Sequence, residues 1–280
     1  MSDRLDIQKT YKLFIGGAFP RSESGRTTDI VAADGSLVAN IAKASRKDLR
    51  DAVKAARGAQ SGWAARTAYN RGQILYRIAE VMEGRRAQFE TELVTCGASA
   101  DEASAEVDTA IDTWVWYAGW CDKFQHIVGT VNPVAGSFFN FSVPEPTGVV
   151  GVVAPEEPSL SGLVARLAPA LVGGNTTVVL PSEAAPLSSI SLAETLATSD
   201  VPGGVVNILT GPKADLVPWL LGHMDVNAVD LTGIDNVAPG VLDLAAENVK
   251  RIVRRAPLDQ CPEAITDFCE MKTVWHPIGR

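Results

Sequence analysis

Positive charge, sulfur and histidine are all scarce in this chain of 280 residues. Lys and Arg total 25 against 33 Asp and Glu, and the net charge of −8 argues against a nucleic-acid surface or an anionic membrane as partner. The three histidines, His126, His223 and His276, have no acidic or cysteine partner at ligand spacing, so no metal site is expected. The four cysteines, Cys96, Cys121, Cys261 and Cys269, show neither metal spacing nor a paired framework. Reduced thiols in a cytoplasm are the simpler expectation. No charge-free apolar run reaches spanning length, and residues 1 to 10 are too polar for a signal peptide, so a soluble cytoplasmic protein is expected. Repeats, low-complexity tracts and the phosphate-cradling patterns Gly-x-Gly-x-x-Gly and Gly-x-x-x-x-Gly-Lys do not occur.

What is present is a substantial apolar fraction, 46%, enough to bury a core in one large domain or two modest ones. Gly148 to Ala154 is β-branched and uncharged, which suits a strand covered on both faces. After Pro155 and Pro158, Ser159 or Ser161 can cap a helix over Leu160 to Leu171 that Gly173-Gly174 stops. Asn175 to Leu180 is a second buried strand, so strand, helix and strand form a right-handed crossover. Further crossovers follow: a helix over Leu187 to Thr198, a strand over Val205 to Leu209, and a helix over Gly211 to Leu221 that Pro218 should strain or end. A strand over Val226 to Leu231, a helix over Asp235 to Glu247 and a strand over Val249 to Val253 complete a doubly wound parallel sheet.

Upstream, Tyr11 to Ile15 meets Gly16-Gly17 and reads as a hairpin, and Asp34-Gly35 reads as a tight turn between Thr27 to Ala33 and Leu37 to Ile41. Helices are predicted over Ser45 to Gln60, with Leu49, Ala52, Val53 and Ala56 inward, and over Arg66 to Glu83, with Ile74, Leu75, Ile78 and Ala79 inward. Two more run over Arg85 to Cys96 and Asp101 to Phe124, the last ending in Trp114, Trp116, Tyr117 and Trp120. Without a basic stripe beside them, these rings read as packing. His126 to Val131 and Ser137 to Val143 read as short extended segments. An isolated hairpin is only marginally stable, so Phe138, Phe139 and Phe141 need a surface, in this chain or in another.

The stretch from Pro144 to Glu183 carries a resemblance. Gly148 to Val152, Ala168 to Leu171, Gly174 to Thr176 and Pro181 to Glu183 are similar to the Gly-Val-Val-Gly-Val, Ala-Pro-Ala-Leu, Gly-Asn-Thr and Pro-Ser-Glu runs of the NAD(P)-dependent aldehyde dehydrogenases. The resemblance implies a nucleotide-binding fold, α/β with a doubly wound parallel sheet, plus a small antiparallel oligomerisation hairpin and a C-terminal strand. Residues 1–124 would then be the N-terminal part of the nucleotide-binding domain and 125–146 the hairpin. Residues 147–256 would be the Rossmann-like core and 257–280 the C-terminal strand, since Lys272-Thr273-Val274-Trp275 resembles the family's terminal strand. The family places a catalytic domain between those last two segments; here two dozen residues follow Pro257.

The family's chemistry needs a thiolate, an oxyanion donor, a carboxylate base and a nicotinamide. The family's oxyanion asparagine corresponds to Glu157, which as a carboxylate cannot donate. Its general-base glutamate corresponds to Arg255, which is no base at accessible pH. No catalytic residue is therefore assigned; Cys261 and Cys269 are thiols without a motif around them. For the cofactor, Ser182 and Glu183 remain, Leu180 stands in place of a lysine, Gly211-Pro212-Lys213 replaces a Gly-x-Gly, and Leu231-Thr232-Gly233-Ile234 replaces Phe-Thr-Gly-Ser. Ser182, Glu183, Gly211, Gly233 and Ile234 are the candidate cofactor positions, with NAD or NADP binding weak or lost; Glu183 reads equally as a solvated strand end. Lys250, Arg251, Arg254 and Arg255 form a basic run that is either a solvated strand end or a site for an acidic partner loop.

The resulting expectation is a non-catalytic, structural or regulatory subunit. It would assemble as a homo- or hetero-oligomer through the hairpin and the terminal strand, with a full-length aldehyde dehydrogenase as one candidate partner. The alternatives are an NAD(P)-dependent aldehyde oxidoreductase working through Cys261 or Cys269, and a nucleotide sensor using Glu183 and Gly233.

Overall fold

Short β-branched runs and glycine turns build the N-terminal layer. The structure, a computed structural model, describes residues 9–32, 35–238, 240–256 and 258–279. Thr10–Tyr11 (β1), Thr27–Val31 (β2) and Leu37–Ala42 (β3) form a sheet in the order β1-β3-β2. The Gly16-Gly17 turn is present, with φ of +63° and +82°, a region that costs glycine nothing. Its flanks are not a full hairpin. Ile15 bridges Ala18, Phe14 bridges Ile208, and β1 runs parallel to β3. The β2 and β3 strands pair antiparallel as predicted, while Ala33 and Asp34 of the turn between them lie outside the described residues.

Four helices follow: Arg46–Ala64 (α1), Ala68–Gly84 (α2), Arg86–Thr95 (α3) and Ala100–Ala118 (α4). Capping boxes at Ser45 with Asp48 and at Ser99 with Glu102 start α1 and α4 by satisfying orphan amides. The predicted inner stripes of α1 and α2 are buried, as is Trp114; Trp116 and Trp120 pack against the core at a ring separation of 5.3 Å. The α4 helix stops six residues early, and Phe124–Val128 (α5) is helical where an extended segment was expected. Local i to i+4 bonds explain this: Lys123 O accepts from Ile127 N and Gln125 O from Gly129 N. Strand begins only at Thr130–Asn132 (β4) and resumes at Phe138–Pro146 (β5).

The core comprises Val149–Val153 (β6), Ser161–Val172 (α6), Thr176–Leu180 (β7), Leu187–Ala197 (α7) and Val206–Ile208 (β8). It continues through Lys213–Gly222 (α8), Ala228–Asp230 (β9), Asp243–Ala246 (α9) and Arg251–Val253 (β10). The strands run parallel in the order β10-β9-β6-β7-β8, the doubly wound order that reverses between β6 and β9. All twelve residues of α6 are buried, between the sheet and α4, so it is apolar all round apart from Ser161 and Arg166. Pro218 does not end α8, because Leu216, Val217, Leu220 and Leu221 anchor the helix in the core on both sides of it. The helix expected over Asp235 to Glu247 contracts to α9; Gly240, at φ +80°, breaks it.

The tail contributes Glu263–Thr266 (α10), packed on α6, and Cys269–Pro277 (β11). The β11 strand pairs antiparallel with β5 along its whole length, from Cys269 opposite Pro146 to Pro277 opposite Phe138, giving a third sheet, β11-β5-β4. Among the described residues no helix is long and apolar enough to cross a membrane.

Candidate functional site at the crevice between β6 and β9

Strand reversal at β6 and β9 opens a crevice at their carboxyl ends, where ligands bind in such sheets. Past β6 the chain runs through Ala154 and Pro155 and turns the Glu156 carboxylate inward. Its Oε2 accepts from Ser182 Oγ at 3.0 Å, Glu183 N at 2.8 Å and Ala184 N at 3.1 Å. Its Oε1 is ion-paired with Lys213 Nζ, which also donates to Ala154 O at 2.7 Å. Lys213 opens α8 and is only 4% exposed. Its backbone N–H donates to Glu183 Oε1 at 2.8 Å, so Glu183 caps α8 from the neighbouring loop. Burial opposes ionisation of Glu156, yet the bonds from Lys213, Ala184 and Ser182 outweigh it and hold the carboxyl below its usual range. A depressed folded value adds stability above the unfolded carboxylate's pKa, and that stability is lost as acid titrates through the folded one.

The five candidate cofactor positions fall into two groups. Ser182, Glu183 and Gly211 line a cavity of about 60 Å³ together with Ile30, Ile41 and Pro212. Gly233 and Ile234 do not line it and lie in the loop after β9. Gly233 N donates to Val153 O at 3.0 Å, and a Cβ at Gly233 would stand 2.0 Å from Ala154 O. Its missing side chain lets the loop after β9 close on the end of β6. Ile234 packs as a partly buried apolar residue against the core on the α8 side of the sheet.

A second ionic group crosses the same crevice. Arg166 Nε, on α6, donates to Asp230 Oδ2 at the end of β9, with side chains 2% and 0% exposed. Asp230 Oδ1 accepts from Thr232 N at 2.8 Å. From the tail, Asp267 stands 3.8 Å from Arg166 Nη2 and receives both Nε and Nη2 of Arg255. The position aligned with the family's base is thus occupied by an arginine bound into the tail, and Glu157 is exposed. Sequence reasoning missed Lys213, Arg166 and Asp230. The available signal was a single charge, Arg166, inside an otherwise apolar helix.

The basic run is mostly not a solvated strand end. Lys250 is buried and donates to His223 O and Val226 O; burial lowers its pKa to about 8. Arg251 donates to the carbonyls of Asp267 and Cys269 and pairs with Glu270. Only Arg254 of the four is exposed.

Of the thiols, burial pushes Cys121 and Cys269 up to about 12 and raises Cys96. Cys269 Sγ donates to Ile265 O at 3.3 Å. A thiol rather than a thiolate is a poor nucleophile. Iodoacetamide at neutral pH is therefore expected to leave Cys121 and Cys269 unlabelled in the native protein and to label both after denaturation. Native labelling of Cys269, read by peptide mass, would contradict that geometry. Among the described residues no group of His, Cys, Asp and Glu could hold a metal ion.

Residues 19–255 match the model of the aldehyde dehydrogenase family. The chain is 35% identical over 256 residues to aldehyde dehydrogenase, cytosolic 1, of Elephantulus edwardii, covering 89% of this chain and 50% of that protein. It is 34% identical over 256 residues to cytosolic 10-formyltetrahydrofolate dehydrogenase of Mus musculus, covering 89% of this chain and 28% of that one. A Bacillus cereus aldehyde dehydrogenase solved as its NAD+ complex superposes with a TM-score of 0.82 at 28% identity, covering 87% of this chain and 50% of the other. This chain therefore spans about half the length of the aldehyde dehydrogenases it matches. The parallel sheet, the matched segment and these identities together make the chain a member of the aldehyde dehydrogenase family.

Proposed function

We propose that the chain is a non-catalytic family member, a structural or regulatory subunit that assembles through β4, β5 and β11. The observation that carries this reading is the β11-β5-β4 sheet: β11 pairs with β5 along its whole length, yet the sheet leaves apolar side chains in solvent. Val131 is 67% exposed, Phe139 45% and Trp275 59%. Rings left bare on a small projecting sheet are what a partner surface would cover.

The crevice supports the same reading from the other side. A cavity of about 60 Å³ beside Ser182, Glu183 and Gly211 is well below the roughly 300–1,000 Å³ of small-molecule sites. Glu156 already takes the donors of Ser182, Glu183 and Ala184. A second carboxylate at Glu157 would repel a pyrophosphate. As arranged, these residues do not fit a dinucleotide, and no step of aldehyde oxidation is routed through them.

The test is native mass spectrometry of the chain made alone and with a full-length aldehyde dehydrogenase from the same source, paired with a calorimetric NAD titration. Self- or mixed assemblies and millimolar or weaker NAD binding are expected. A monomer that ignores every co-expressed relative would defeat the proposal. A cofactor-dependent oxidation of aldehydes by the purified chain would replace it with the enzymatic reading.

A further inference from the structure

We propose that the partner of the β11 edge is β11 of a second copy, joined antiparallel about a two-fold axis through Thr273. This rests on the assembly reading above and names its partner and register. The sheet has two open edges of very different capacity. β4 offers three residues and runs into Pro133, whereas β11 offers nine.

Hydrogen-bond alternation decides which β11 groups point outward. Thr147 N donates to Phe268 O, and Ile278 N donates to Ser137 O, so in this register the even-numbered residues bond to β5. The amides and carbonyls of Met271, Thr273 and Trp275 therefore face away from the sheet and have no partner among the described residues.

The sequence of the strand then selects the register. A two-fold axis through Thr273 sets Met271 opposite Trp275 of the second copy, Glu270 opposite His276 and Lys272 opposite Val274. Thr273 pairs with itself, and the two Met271–Trp275 pairs flank it. Each such pair exchanges two main-chain hydrogen bonds, about six across the junction. Met271 and Trp275, 49% and 59% exposed, would cover one another twice through sulfur–aromatic contact. Phe138 already stacks edge-on to Trp275 at 5.7 Å, so the new face continues the existing one.

Neighbouring registers with the same alternation are worse. An axis through Lys272 sets that lysine opposite itself, and like charges directly opposed destabilise a ladder. An axis through Val274 sets Lys272 opposite His276 and puts Pro277, which has no N–H, into a bonded pair with Met271. The Thr273 axis joins Glu270 to His276, completes its three inner bonded pairs with Pro277 left only at the two ends opposite Cys269, and buries both exposed side chains.

The test uses the full chain. Wild type is expected to be dimeric in sedimentation velocity, and Thr273→Pro to dimerise at least about 100-fold more weakly, because it removes an outward donor and none that β5 uses. A crosslinking arm guards against misfolding of that variant. Lys272→Cys with Val274→Cys places thiols across a non-bonded pair, where Cα atoms are close enough for a disulfide, about 4.5 Å. Mild oxidation should give a covalent dimer from this variant. Glu270→Cys with Val274→Cys, which reports the Lys272 axis, should give none. If wild type assembles while Lys272→Cys/Val274→Cys stays uncrosslinked, or assembles only with a full-length relative, this register is overturned and the assembly reading stands. A wild type that is monomeric in every mixture overturns both.

Discussion

Replacing Asp230 with alanine is expected to destabilise the fold by about 3–5 kcal/mol, the range for removing one partner of a buried ion pair. Arg166 would be left charged with 2% of its side chain exposed. Its remaining acidic neighbour, Asp267, is 3.8 Å from Nη2 and already holds both donors of Arg255. Thr232 N would lose its acceptor as well. Urea denaturation is the measurement, with the midpoint falling and the m-value unchanged. Because domains are stable by only about 5–15 kcal/mol, the variant would sit near the threshold of folding. The double replacement Arg166→Met with Asp230→Leu removes both charges and should be more stable than Asp230→Ala alone, since what hurts is the orphaned charge. A loss below about 1 kcal/mol for Asp230→Ala would mean that the pair is not desolvated.

Gly233→Ala should be almost as costly, by a different route. The added Cβ would meet Ala154 O at 2.0 Å, Ala154 C at 2.1 Å and Pro155 N at 2.5 Å. All three are backbone atoms at the end of β6, so no side chain can swing away. Overpacking costs about 1–3 kcal/mol when neighbours can adjust, and here the expected loss is at or above the top of that range. Moving Ala154 would also disturb Lys213 Nζ and, through it, Glu156. Gly58→Ala serves as the contrast. It lies exposed within α1 with nothing within 4 Å of the added atom, and should gain up to about 1 kcal/mol. Thermal unfolding of the two variants side by side reads the difference. Equal melting temperatures would show that the loop after β9 does not rest on β6 as closely as described. The lesson for function is that Gly233 serves the protein's own backbone, whatever it does for a ligand.

Much of the architecture was legible in the residues. The runs Gly148 to Ala154 and Asn175 to Leu180 became β6 and β7, because a β-branched stretch bounded by glycine and proline has few other places to go. Ser45 capped α1, and the Lys272 to Trp275 motif found its place in a strand. Misreadings came where local preference was weak. His126 coiled into α5, Asp235 to Ala238 stayed irregular, and Pro218 was tolerated because buried leucines outweighed one lost hydrogen bond.

The candidate site was legible only as a set of substitutions. Glu157 and Arg255 could be seen to lack the required chemistry, since a carboxylate does not donate and a guanidinium does not accept a proton. That Glu156 would be held by Lys213, 57 positions away, could not be seen. Nor could the meeting of Arg166 with Asp230, 64 positions away. Read alone, Lys213 was one member of a lost Gly-x-Gly and Arg166 one charge in an apolar helix.

The amino-acid sequence by itself determined the crossover order, the family and the pairing segments, because periodicity, caps and turn residues act over a few neighbouring positions. Tertiary structure alone decided which charges share the crevice and which edge of the terminal sheet stays open. Those contacts exist only after β9 lies beside β6 and β11 beside β5, bringing into low dielectric groups that the chain holds far apart.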